Sequence, residues 1–439
     1  MVADNAAMAK TFRPFNRDQM LLMPPSLHDW VSEDHLARFV ADVVETLDLS
    51  GIEDTYAEER GYPPYDPRMM VSVLLYAYCT GTYSSRKIAV RLADSVAFRF
   101  LAAGNQPDFR TLSEFRRRHG EALAALFTQG LRLCRKAGLV KLGRVAIDGT
   151  KIKANASKHK AMSYGRMKQA EAALRHEVAD LLHRAEAADR DEDARYGVDH
   201  RGDEWPAELA RRESRRAKLR EAMTALEAEA RAEAAARGRD PDDAAPPDKA
   251  QRNFTDPESK IQKTPDGFIQ GYNAQLAVDG GPAQIIVAQH VTPAAPDVQQ
   301  LVPVVTALTH ALRRQPKVVL ADAGYWSEAN VEALATKGIE GFIATARQKH
   351  GDPHPVAPRG RPPAGLSVRE RMARQLASHR GRALYARRKT IVEPVFGQIK
   401  QARGFRQFLR RGLVAVQQEW ALVCLSHNLR KLHAVTNRG

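Results

Sequence analysis
Apolar residues recur three and four positions apart in HLARFVADVVETLDL (residues 35–49), which predicts a helix with one buried face. PPYDPRMMVSVLLYAYCTGTYSSRKIAVRLADSVAFRFL predicts an apolar helix, a turn at Gly81 and a second helix opening at Ser84 or Ser85. TLSEFRRRHGEALAALFTQGLRLCRKAGL predicts a helix that starts with a capping box, Thr111 with Glu114, and ends near Gly138. Residues 1–140 therefore read as an all-helical domain with basic side chains at its exposed positions.

At GRVAIDGTKIKANAS the period changes to two. Val145 and Ile147 share one face, Ala146 and Asp148 the other, which predicts a strand, with a hairpin through Asp148-Gly149. Met167, Leu174, Val178 and Leu181 then recur at helical spacing, as do Leu219, Met223, Leu226 and Ala230. The other positions are mostly Ala, Glu and Arg. WPAEL restarts the helix and GRDPDDAAPPDK ends it, so residues 161–250 read as an antiparallel helical hairpin with a narrow apolar seam, inserted into another domain.

The two-residue period resumes in GFIQGYNAQLAVDGGPAQIIVAQHVT, two strands around a turn at Asp279-Gly280-Gly281. A helix (PDVQQLVPVVTALTHAL), a buried strand (KVVLADAGY), a helix (SEANVEALATKG) and a strand (EGFIATAR) follow. A Pro/Gly/basic loop leads to closing helices through residues 367–434. This order predicts an α/β unit, a mixed sheet with helices on its faces, of the ribonuclease-H-like kind. Its segments are residues 141–160 and 251–439.

Charge narrows the partner. The 439 residues carry a formal net charge of +15, which favours a polyanion, nucleic acid first and an anionic membrane surface second. No apolar run approaches the roughly 20 residues of a spanning helix, and MVADNAAMAKTFRPF lacks a signal-peptide core. A cytoplasmic protein with no membrane partner is expected. Cys79, Cys134 and Cys424 lie far apart in apolar helical contexts and read as buried thiols. His350 and His354 stand in the Pro/Gly loop with no cysteine nearby, which argues against a zinc site.

Residues 380–411 hold ten Lys and Arg and one acid, Glu393. A solubilising surface mixes its signs; a phosphate-gripping face excludes acids unless one has separate work. Asp148 and Asp322 each stand at the end of an apolar strand, where an α/β sheet collects functional groups. Three converging carboxylates hold Mg²⁺, which prefers oxygen ligands, and two such ions promote phosphodiester chemistry. Taken singly, each acid also has a plain structural use: an Asp-Gly turn for Asp148, a strand-to-helix loop for Asp322, an arginine partner for Glu393.

If residues 385–400 form one helix, Tyr385, Arg388, Lys389, Glu393, Phe396 and Lys400 fall within an arc of roughly 140°. Pro394 requires either a kink there or a helix that begins near Glu393.

These segments resemble the DDE transposases of bacterial insertion sequences, of the IS4/IS5-like superfamily and closest to its IS1182-like group. VAIDGTKIKANAS resembles the first-Asp motif, VVLADAGY the second, and YARRKTIVEPVFGQIK the Tyr-Arg-Glu-Lys signature around the last acid. TDPES followed by GYNAQLAVD resembles the middle block, and PDFRTLSEFRRRH belongs with the family's N-terminal region. The resemblance implies Asp148, Asp322 and Glu393 as catalytic, metal-binding residues for two Mg²⁺ ions, with Mn²⁺ as a substitute. It also implies Tyr385, Arg388, Lys400 and, beside them, Arg403 as DNA contacts. Four residues, not the usual three, separate Arg388 from Glu393, so Lys389 is an alternative to Arg388. Asp256 in TDPES is expected to order the chain re-entering the sheet.

The implied activity is cleavage of double-stranded DNA at terminal inverted repeats and joining to target DNA. The N-terminal helices would recognise the ends, and a homodimer would pair them. A catalytically silent DNA-binding derivative and a nuclease of the same fold compete with this reading. A tyrosine recombinase does not: His427-Asn-Leu-Arg430 resembles part of one, but Tyr385 is the last tyrosine in the chain.

Overall fold
A computed structural model describes residues 26–56, 64–196, 207–346 and 356–437, and the side chains among them except 182, 184–196 and 207–210. The readings that fall on residues 1–25, on the start of WPAEL and on His350 and His354 lie outside the described residues.

The N-terminal region is helical: α1 (Leu36–Glu45), α2 (Ser50–Glu53), α3 (Pro67–Cys79), α4 (Ser85–Asp94), α5 (Val96–Leu101), α6 (Phe109–Arg118) and α7 (Gly120–Lys136). The expected capping box is corrected. Asp108 caps α6, its carboxylate accepting from Thr111 N at 2.7 Å, while Glu114 turns outward and takes Arg117 Nε at 2.8 Å. Charge decides this: Glu114 finds a guanidinium one turn away, and an aspartate upstream is already in reach of the free amides.

Strand β1 (Val145–Lys153) follows. It runs straight through Asp148-Gly149, so the expected hairpin there is not formed; all nine of its residues pair with a later strand. A short ribbon, β2 (Ala161–Ser163) with β3 (Gln251–Asn253), closes the base of a long helical pair, α8 (Tyr164–Tyr196) and α9 (Ala207–Ala236). Met167, Leu174, Leu219 and Leu226 form a small core of its own. Glu171 of α8 pairs with Arg216 and Arg220 of α9, at 3.0 and 2.9 Å.

The main sheet adds β4 (Lys260–Thr264), β5 (Gly267–Asp279), β6 (Ile286–Thr292), β7 (Val318–Ala321) and β8 (Glu340–Ile343). β5 is its spine. One edge pairs antiparallel with β1, from Val145↔Asp279 to Lys153↔Gly271; the other takes β4 along its first part and β6 along its second. β1 then pairs parallel with β7, and β7 parallel with β8. The order is β6-β5-β1-β7-β8, with β4 beside β6 on the edge of β5.

Helix α10 (Leu301–Leu312) packs on β5 and β6, α11 (Glu328–Thr336) and α12 (Val368–Ala377) on β8, and α13 (His379–Gly397) on β1, β5 and β7. The last helix, α14 (Leu413–Thr436), packs on β6 and also on α3 and α7. Trp420 and Leu425 of α14 are fully buried, and the buried residues of the N-terminal helices and the sheet form one continuous core. Cys79, Cys134 and Cys424 lie inside it as free thiols. Asp256 is also fully buried and accepts from Tyr272 Oη at 2.7 Å and Gly412 N at 3.2 Å. It ties the chain re-entering the sheet to the loop before α14. No described helix is long and apolar enough to cross a membrane.

Candidate active site
The strand register brings the two aspartates together. Ala146 of β1 stands opposite Leu320 of β7 in parallel pairing. Two residues further along each strand come Asp148 and Asp322, which therefore share a level and a face on neighbouring strands. Adjacent strands lie about 4.8 Å apart, close enough for the charge of Asp322 to act on the Asp148 carboxyl. β7 ends at Ala321, and Asp322 opens a short turn in which its Oδ1 accepts from Gly324 N at 2.8 Å. The loop role is real, and it uses one of the two carboxylate oxygens.

Asp148 lies mid-strand, not at the end of its strand as expected. Its Oδ1 accepts from Gly149 N at 2.8 Å and its Oδ2 from Arg388 Nη1 at 2.9 Å. Burial pushes its carboxyl up to about 6; Arg388 opposes that and the charge of Asp322 adds to it. Gly149 is glycine for a steric reason: a Cβ there would strike Gln275 Nε2 and come within 2.9 Å of Asp297 Oδ1.

Helix α13 supplies the third acid. It continues through Pro394 and passes into a π turn at Gln398–Ala402. Proline cannot donate to the carbonyl four residues back, Thr390 O; Gln284 Nε2 donates to that oxygen instead, at 3.0 Å. The helix therefore includes Tyr385 and Arg388 as well as Glu393. Glu393 does not reach the aspartates. Its side chain is 54% exposed, and its nearest charged partner is Arg388 Nη2 at 3.9 Å. Arg388, only 9% exposed, thus stands between Asp148 and Glu393. The expected convergence of three carboxylates is corrected to a convergence of two, with Arg388 bridging toward the third.

The other sequence-derived residues divide. Tyr385 is half-buried, with Arg388 over its ring at 5.9 Å. Lys400 reaches β1 from the π turn, donating to Thr150 Oγ1 at 3.0 Å. Burial lowers its pKa. Lys389 is exposed and Phe396 buried, so the ring packs inward rather than facing a base. Arg403 is corrected from a DNA contact to an internal residue. It is 8% exposed, donates to Ser426 Oγ at 2.6 Å, and has its pKa lowered by burial.

Sequence reasoning missed a polar set beside the aspartates. Asp297 Oδ1 accepts from Asn273 Nδ2 at 2.6 Å and Gln275 Nε2 at 2.8 Å, and lies 3.5 Å from Lys151 Nζ. Tyr325 donates to Gln275 Oε1. A signal was present: Asn273 and Gln275 alternate on one face of an otherwise apolar strand, and both are fully buried.

A divalent cation implied by such acids fits the Asp148–Asp322 pair, since it would relieve the mutual repulsion of two carboxylates held in register. Among the described residues no three His, Cys, Asp or Glu groups come together as a metal-binding set, so Glu393 is not placed as a ligand here.

Residues 244–429 match the family described as Transposase DDE domain, and residues 25–118 that described as Transposase domain (DUF772). A Burkholderia cepacia protein named "Putative transposase for insertion sequence element IS402" is 45% identical over 62 residues, 12% of this chain and 29% of that protein. The match thus spans less than a third of the relative's length. No solved structure matches. Two transposase domains in this order, the second holding Asp322 and the Arg388–Glu393 helix, together support a DDE transposase of an insertion sequence.

Proposed function
We propose that this chain binds the terminal inverted repeats of its element as double-stranded DNA and catalyses Mg²⁺-dependent phosphodiester cleavage and strand transfer. Mn²⁺ would substitute for Mg²⁺. The observation that carries the reading is the Asp148–Asp322 pair, level on adjacent strands and bridged by Arg388 toward Glu393. The strand order supports a ribonuclease-H-like catalytic unit over residues 141–160 and 251–439: three antiparallel strands, then two parallel, with the first aspartate on the central strand.

Asp148 and Asp322, joined by Glu393 once Arg388 releases it, are the residues that would hold the cation. When bound, it supplies charge neutralisation at the scissile phosphate and a more acidic water. Arg388 holds the place of that charge in the free protein. DNA entry gives its guanidinium a phosphate partner in exchange for Asp148, a swap of one anion for another. Tyr385 on α13 and Lys400 on the π turn after it position the strand, with Lys389 on the exposed flank.

In the first reaction a water oxygen attacks phosphorus, the bond to the 3′-oxygen breaks, and that oxygen leaves as a 3′-hydroxyl. In the second, the hydroxyl attacks a target phosphodiester, or the opposite strand, and displaces another 3′-oxygen in line.

Residues 1–140 fit recognition of the ends, and 161–250 an inserted arm. Phe109 at the start of α6 is 37% exposed, with the guanidiniums of Arg86 and Arg110 at 5.1 and 5.6 Å from its ring. Exposed aromatics among arginines suit nucleic acid. Two ends require at least a homodimer, working in the cytoplasm on nucleoid DNA.

The test uses full-length protein, a labelled duplex carrying one terminal repeat with flanking DNA, and a target plasmid. Mg²⁺ and EDTA reactions run beside Asp148→Asn, Asp322→Asn and Glu393→Gln. The expected result is nicking at the repeat boundary and joining only with Mg²⁺, with all three variants binding but not cutting. Binding without cutting by wild type under any divalent metal would leave a DNA-binding derivative. Cutting without end preference or joining would leave a nuclease.

A further inference from the structure
Beside α13, lined by Arg387, Thr390 and Ile391, lies a cleft of about 500 Å³. Two segments distant in sequence bring three cations to it: Lys141 and Arg144 from the approach to β1, and Arg387 from α13. The turn between β5 and β6 supplies the floor. The turn is shaped to these cations: a Cβ at Gly280 would meet the Arg144 stem at 2.5 Å, and one at Gly281 would lie 3.8 Å from the Lys141 stem. At Gly280 the missing side chain lets the backbone lie this close to Arg144.

One carboxylate, Asp279, lines the cleft, but it is fully buried and spent on backbone. Its oxygens accept from Leu142 N at 2.7 Å, Gly281 N at 3.0 Å and Lys141 N at 3.3 Å. Lys141, Arg144 and Arg387 have no acidic partner among the described residues. Three convergent, uncompensated cations make a strong local anion site.

Its position says which anion. Arg387 adjoins Arg388, which holds Asp148. Arg144 precedes Asp148 by four residues of extended chain, about 13 Å at the strand rise. A duplex strand advances about 3.4 Å per nucleotide along the helix axis, so a duplex lying along β1 covers that separation in about four nucleotides. We infer that this cleft grips the phosphate backbone of the same DNA strand about four nucleotides from the scissile phosphate. The contact is independent of base sequence and distinct from end recognition. This inference rests on the DNA-cleaving reading of Asp148 and Asp322.

The test is fluorescence anisotropy of full-length protein on two series of end duplexes, shortened stepwise toward the cleavage point from the repeat side or from the flanking side. Wild type is compared with Lys141→Gln/Arg387→Gln and with the charge-keeping Lys141→Arg/Arg387→Lys; circular dichroism checks the fold. Wild type should lose affinity in one series when about four nucleotides remain beyond the cleavage point. The Gln pair should show no such step, and its plot of log K against log salt should be shallower by about two. The charge-keeping pair should restore both. Equal steps and slopes in wild type and the folded Gln pair would overturn the cleft while leaving DNA binding intact. Failure of wild type to bind any duplex would overturn the DNA reading and the cleft with it.

Discussion

Asp148→Asn has a consequence for stability that is separate from activity. In metal-free protein, held in EDTA, the Asp148 carboxyl is raised from 3.8 to about 6, chiefly by burial. Its side chain is 20% exposed, so solvent screens it only weakly. A raised folded pKa means that the folded protein binds this proton more tightly than the unfolded chain. The resulting stabilisation is fully present below about pH 3.8 and lost as pH rises through about 6. The displacement corresponds to about 3 kcal/mol over the whole window, of which about half falls between pH 5 and 8.

Asparagine cannot ionise, so the variant lacks this loss. It also leaves Arg388 without its anion, but Arg388 stays charged throughout, so that cost is a constant offset. Urea unfolding of both proteins in EDTA at pH 5, 6, 7 and 8 separates the two effects. The difference, variant minus wild type, should climb by about 1.5 kcal/mol in favour of the variant from pH 5 to pH 8. A difference that stays flat with pH would refute the claim that burial and Asp322 oppose the charge on Asp148.

Three further substitutions probe the frame around the site. Arg403→Met replaces a buried cation with an apolar chain of similar length; thermal stability should hold or rise, by up to about 4 kcal/mol, with affinity for a terminal-repeat duplex unchanged. A tenfold loss of that affinity in the folded variant would restore Arg403 as a DNA contact. Tyr272→Phe deprives the buried Asp256 of a donor and should cost about 1–3 kcal/mol in urea unfolding; no change would mean that Asp256 is satisfied otherwise. Gly381→Ala drives a Cβ into the Gln375 carbonyl at the corner between α12 and α13. It should cost about 1–3 kcal/mol, and an unchanged unfolding midpoint would argue against so close a corner.

Much was legible in the chain because periodicity depends on near neighbours. The two-residue alternation around Val145–Ile147 and in GYNAQLAVD marked strands, and the Met167–Leu174 and Leu219–Leu226 repeats marked the helical pair. The lone acid in a basic run marked Glu393, and the strand-end pattern KVVLAD marked Asp322. Local signals also misled. Asp148-Gly149 has the composition of a turn, yet β5 holds both residues in a straight strand. Gly149 answers to a polar cluster, Gln275 and Asp297, whose members lie more than a hundred residues away.

What the sequence by itself determined was most of the helices and long strands and where the candidate acids fall along them, since side-chain alternation and helix period are properties of contiguous residues. Tertiary structure decided which acids meet. The parallel register of β1 with β7 puts Asp148 level with Asp322. The packing of α13 sets Arg388 against Asp148 and leaves Glu393 outside. The π turn after Pro394 sends Lys400 to Thr150 while Arg403 turns inward to Ser426. Each of these depends on pairings between segments roughly 20 to 250 residues apart, and no pattern among neighbours along the chain encodes the distance between them.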